Sequence, residues 1–123
     1  MDKIKELIEE RRLERSRTQM TLGQLIERLK QLDSSVVVSI GYPHSYRGYY
    51  SDLAFERGNT RSVGEVLKEA EDCIGEKFYG HGGGEYRMGD DTPLWITERL
   101  QIGTRLMSIA DDGSFVTKVE END

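Results

Sequence analysis

Thr21-Leu22-Gly23-Gln24-Leu25-Ile26-Glu27-Arg28-Leu29-Lys30-Gln31-Leu32-Asp33-Ser34-Ser35-Val36-Val37-Val38-Ser39-Ile40 holds a helix start, an apolar helical face, a break and a strand in one unbroken run. Thr21 and Gln24 form a capping box: the threonine hydroxyl accepts from the third helical N–H and the glutamine reaches back to the cap, while Met20 staples onto Leu25. Leu22, Leu25, Ile26, Leu29 and Leu32 recur at helical spacing, so a helix over about 22–32 presents one apolar face to a core. Asp33-Ser34-Ser35 breaks it, and Val36 to Ile40 predicts a buried strand ended by Gly41 and Pro43. A helix followed directly by a strand makes the chain mixed.

Outward from this unit the pattern repeats. Ser51 to Arg57 predicts a half-buried strand in which Leu53 and Phe55 alternate with polar neighbours, and Gly58-Asn59-Thr60 marks a turn. Ser62-Val63-Gly64-Glu65 is a second capping box, opening a helix that runs to about Ile74 and stops at Gly75. Its match to Thr21–Ile26 over six positions fits two similar helix-cap units or, more simply, common N-cap chemistry. Lys77-Phe78-Tyr79 and Glu85-Tyr86-Arg87-Met88 predict a short hairpin around the glycines 80–84, and Pro93 opens a strand Leu94-Trp95-Ile96-Thr97. Leu100 to Ala110 and Ser114 to Val119 flank Asp111-Asp112-Gly113 as a final hairpin. The fold class expected is α+β: a mainly antiparallel sheet packed with two or three helices.

The 123 residues fit one domain, with a helical arm over 1–18, a core over 20–119 and an acidic tail over 120–123. In the arm, Ile4, Leu7 and Ile8 make a narrow apolar stripe among interleaved acids and bases; it suits packing on its own domain or on a second subunit. With 36% hydrophobic residues and a mean hydropathy of -0.64 the core is modest, which favours a homo-oligomer. A net charge of -6 opposes double-stranded nucleic acid or an anionic membrane as partner, so an anionic ligand needs a local basic site. The single cysteine, Cys73, excludes an internal disulfide; with no long apolar run, the expectation is a protein of the reducing cytoplasm.

Catalytic signatures are missing. The chain carries no Gly-x-Ser-x-Gly, no His-Glu-x-x-His, no paired Cys motif and no phosphate loop ending in Lys-Ser/Thr. Cys73 falls within a helix and reads as a packed thiol. His44 and His81, both in predicted loops, could meet as an acid/base pair, and Asp90 and Asp91 fit a turn better than a metal site. No catalytic residue, metal or cofactor is assigned. Aromatic and arginine residues instead crowd the segment from Tyr42 to Arg105, a supply suited to stacking a base and pairing phosphates.

Ser45-Tyr46-Arg47-Gly48-Tyr49-Tyr50 and Asp52-Leu53-Ala54, with Val63-Gly64-Glu65, Gly75, Phe78, Gly80, Gly83-Gly84, Met88 and Thr92-Pro93-Leu94-Trp95, resemble a set of small bacteriophage proteins, the first-described anti-Thoeris sponges. The resemblance covers about residues 20–98; where many relatives carry an aromatic and a lysine, this chain has His81 and Gly82. It implies a trap that binds glycocyclic ADP-ribose or a related cyclic nucleotide made by a bacterial TIR-domain enzyme and withholds it uncleaved, with cyclic oligonucleotides held by some members at separate sites. Residue chemistry in and around the matching blocks nominates Arg47, Tyr49, Arg57, Phe78, Tyr79, Trp95 and Arg105 as ligand-binding. The alternatives are an enzyme that cleaves such signals through His44 or His81, and a protein-binding inhibitor of a host enzyme.

Overall fold

A computed structural model of the chain describes residues 3–47, 49–79, 84–98 and 103–119. The expected glycine turn at 80–83 with His81, the tail over 120–123, Gly48 and residues 99–102 lie outside the described residues. Helix α1 spans Lys3–Thr18 and α2 Leu22–Gln31; strands β1 (Val37–Ser45) and β2 (Leu53–Ser62) follow, then α3 (Val63–Cys73). A small hairpin, β3 (Lys77–Tyr79) and β4 (Glu85–Arg87), precedes β5 (Leu94–Thr97), β6 (Thr104–Ile109) and β7 (Phe115–Lys118). The main sheet has the order β1-β2-β5-β6-β7, antiparallel except for the parallel pair β2–β5. The fold is α+β.

Both capping boxes form. Thr21 and Ser62 accept from the backbone N–H of Gln24 and Glu65, whose side chains reach back to the cap N–H groups. Gly75, at φ +82°, supplies the left-handed residue that lets the chain leave α3. Cross-strand partners point to the same side of a sheet, so register assigns its faces. Leu53 with Leu94 and Phe55 with Ile96 lie on one face, where they meet Leu22, Leu25 and Leu29 of α2 and Val63, Val66 and Ala70 of α3 in the main core. The opposite face carries a row across all five strands: His44, Ala54, Trp95, Arg105 and Lys118. There Tyr46, Ala54 and Trp95 form a second, separate cluster with Tyr49 packed on it.

Two boundary expectations are corrected. β1 does not end at Gly41 and Pro43 but continues to Ser45, which places His44 on a strand and not in a loop. β2 likewise runs through Gly58-Asn59-Thr60 to Ser62. Bulges absorb these residues. Between the pairs Val38–Arg61 and Ile40–Arg57, three residues of β2 face one of β1; between Ile40–Arg57 and Pro43–Phe55, two residues of β1 face one of β2. Pro43 is tolerated because β1 is an edge strand, where a missing N–H can face outward.

Candidate ligand-binding site

The second cluster is built around a buried carboxylate. Asp52, with no exposed surface, ends the tight connection after β1, where Tyr46 N–H donates to the Asp52 carbonyl and Asp52 N–H to that of Tyr49. Its carboxylate accepts two hydrogen bonds from Arg15 of α1, Nε to Oδ2 at 2.7 Å and Nη2 to Oδ1 at 3.0 Å, and one from the Trp95 indole N–H at 2.8 Å. Arg15 is only 6% exposed, and its guanidinium carbon lies 3.9 Å from the centre of the Tyr49 ring. Trp95 stacks on Tyr46 with ring centroids 4.5 Å apart, and Tyr49 tilts over it at 5.6 Å. The Tyr46 hydroxyl accepts from the N–H of Gly103, where a Cβ would meet the Ile96 carbonyl oxygen at 2.0 Å; only glycine fits there.

Above this floor runs a groove of about 230 Å³ lined by Arg11, Glu14, Arg15 and Thr18 of α1, Tyr49 and Arg105. Arg105 projects from β6 with its guanidinium carbon 5.8 Å from the Trp95 ring centre, and its Nη1 donates to Thr18 Oγ1 at 3.4 Å. Three guanidiniums therefore converge over one aromatic wall. Asp52 pairs with Arg15, and the groove's lining holds three arginines to one glutamate on a chain of net charge -6. A local surplus of arginines on an acidic chain is an arrangement whose focused field favours a small anion.

The nominated residues separate into three groups. Tyr49 and Arg105 line the groove. Trp95 does not offer a ligand surface: it is wholly buried, its face covered by Tyr46 and Tyr49 and its N–H spent on Asp52, so it acts as the floor beneath the site. The others lie elsewhere. Arg57 stands near the β1 edge, paired with Glu98 at 3.4 Å; Phe78 packs on the main core; Tyr79 is exposed on the small hairpin; Arg47 is exposed in the β1–β2 connection. Arg11, Arg15, Thr18 and Asp52 were not nominated. Arg11, Arg15 and Thr18 fall in a segment whose periodicity reads as a surface helix, and only the presence of Asp52 amid aromatics marks a need for a buried cation.

The Cys73 thiol is pushed up to about 12, first by burial and then by Glu69, Asp72 and Glu76, so it stays protonated and unreactive. Among the described residues no group of three or more His, Cys, Asp or Glu side chains could hold a metal ion. No described helix is long and apolar enough to cross a membrane. No family model matches the chain, and neither a curated protein nor a solved structure shows significant similarity to it.

Proposed function

We propose that the chain binds and sequesters an anionic, nucleotide-derived signal of the cyclic ADP-ribose type without degrading it. In this reading it is a bacteriophage counter-defence protein that blocks TIR-dependent signalling in the cytoplasm of the host. The observation that carries it is the groove in which Arg11, Arg15 and Arg105 converge beside Tyr49. Guanidiniums pair phosphate oxygens, and Arg11 and Arg105 border the groove without being committed to Asp52 as Arg15 is; its lining includes no imidazole or thiol. The resemblance of Ser45–Tyr50 and Thr92–Trp95 to the sponge family agrees with that chemistry.

A homo-oligomer belongs to the same proposal. Ile4, Leu7 and Ile8 are 69%, 51% and 57% exposed on α1, so the stripe is left for another surface.

The test mixes purified protein with the products of an active TIR-domain enzyme, removes free nucleotide, heats the complex and identifies the released species by mass spectrometry. Release of the intact cyclic species, lost in Arg105→Ala and retained in Arg57→Ala, supports sequestration. A cleaved product moves the assignment to an enzyme; no release, with the signal still free, moves it to a protein partner.

A further inference from the structure

We infer that a second cleft, at the β1 edge, binds a neutral ring bearing adjacent hydroxyl groups, such as a ribose or a free sugar. This inference is independent of the arginine groove and its ligand. The cleft, about 280 Å³, is lined by Gly41, Tyr42, Pro43, His44, Glu56, Arg57 and Asn59. Two of these lining residues, His44 and Glu56, form a polar trio with the buried Thr97, drawn from three adjacent strands. The Thr97 hydroxyl donates to Glu56 Oε2 at 2.7 Å, and His44 Nε2 lies 3.3 Å from Thr97 Oγ1 and 3.4 Å from Glu56 Oε2. Thr97 is buried, whereas His44 and Glu56 each keep about a quarter of the side chain exposed, at 26% and 25%.

The wall is a held aromatic platform. Tyr42 is 65% exposed, and the guanidinium carbon of Arg61 sits 5.0 Å from its ring centre. Arg61 is fixed in turn: it donates to the carbonyls of Ile40 and Gly41 at 3.0 and 2.7 Å and pairs with Glu69 at 2.7 Å. The β1 bulge thus presents one face of Tyr42 outward and backs the other with a cation, a low-entropy surface on which a ring can stack.

Charge selects the ligand class. Arg57 is paired with Glu98, and Glu56 adds a second carboxylate, so the cleft has no positive excess to draw a phosphate. The Glu56 carboxylate, which accepts from Thr97 and lies beside His44, and the Asn59 amide line the cleft with groups suited to a hydroxylated ligand. Vicinal hydroxyls on a ring meet both demands: they donate to the carboxylate, as ribose hydroxyls do to acidic residues in nucleotide sites, while the ring's apolar face covers Tyr42.

The experiment is an amide NMR titration of the full chain with methyl β-D-ribofuranoside, adenosine and 2′,3′-dideoxyadenosine. The inference expects the riboside and adenosine to shift the amides of Tyr42, His44, Glu56 and Asn59 at millimolar concentration, and the dideoxy compound to leave them in place. If only adenosine binds, a nucleoside ribose is the source; if the riboside binds equally well, a free sugar suffices. Tyr42→Ala, at an exposed position and therefore neutral to folding, should weaken the response about tenfold, the loss of one good contact. Glu56→Gln should do the same, whereas Arg105→Ala should have no effect. Absence of any shift with the riboside and adenosine, equal binding of dideoxyadenosine, or binding indifferent to Tyr42→Ala would each overturn it.

Discussion

At the scale of single residues, the decisive group is Asp52. A carboxylate without solvent is tolerable only while Arg15 and the Trp95 indole satisfy it. Removing one partner of a buried ion pair costs more than the pair contributes, because the other charge is then stranded. Arg15→Met is therefore expected to destabilise the fold by about 3–5 kcal/mol in urea unfolding. Trp95 is the only tryptophan, so its emission reports the same event as a red shift where the floor becomes wet. A loss below about 1 kcal/mol, the range of an exposed pair, would mean that Arg15 is not buried in solution. Sequence pattern nominated Tyr49 and Arg105, which line the groove, because their chemistry announces itself. It could not foresee that Trp95 is buried, since an indole that stacks on a ligand and one that stacks on Tyr46 have the same signature. It could not single out Arg15 or Asp52, because their pairing across 37 positions depends on the fold.

At the scale of elements, the helices were legible and the strand ends were not. Both capping boxes and the apolar faces of α2 and α3 are local, so their residues alone state them. The bulges in β1 and β2 are properties of a pair of strands, and Gly41, Pro43 and Gly58 carry the same turn signature whether they end a strand or kink one. The caps also make a pH-dependent contribution. Hydrogen bonds from the backbone and hydroxyl of Ser62 hold the Glu65 carboxyl below its ordinary value, and the hydrogen bond from Arg12 does the same for Asp91, the second point at which α1 is tied down. A depressed folded-state value stabilises above the unfolded one, about 4.3 for Glu and 3.9 for Asp, and that stability disappears as pH falls through the folded values. The midpoint of thermal unfolding is thus expected to be flat above about pH 5 and to fall below about pH 4. Asp91→Asn should lower the neutral-pH stability slightly, by less than about 1 kcal/mol for so exposed a partner, and should make the acid limb shallower. An acid limb unchanged in Asp91→Asn would show that Arg12 does not hold α1.

At the scale of the whole molecule, α1 is attached the wrong way round for an ordinary surface helix. Its tethers to the body are polar, Arg12 to Asp91, Arg15 to Asp52 and Arg105 to Thr18, while Ile4, Leu7 and Ile8 face water. The apolar periodicity of the arm was visible in the sequence, but which surface it meets was not, since a stripe specifies a need for cover and not its source. A helix of 16 residues is marginal in isolation, and the Arg12 and Arg15 tethers sit in its second half. Covering the stripe with a second copy would bury these side chains at roughly 25 cal/mol per Å² of apolar surface, and would set the helix that lines the arginine groove at an interface. Light scattering on a gel-filtration column is the direct check: the wild-type chain should elute above the 14.1 kDa of a monomer. Leu7→Glu with Ile8→Glu should return it to that mass while leaving the Trp95 emission and urea midpoint of the body intact. If the wild type is already monomeric at high concentration, the stripe is not a self-association surface. If instead the double variant stays oligomeric, the copies meet elsewhere and α1 is held by its arginines alone.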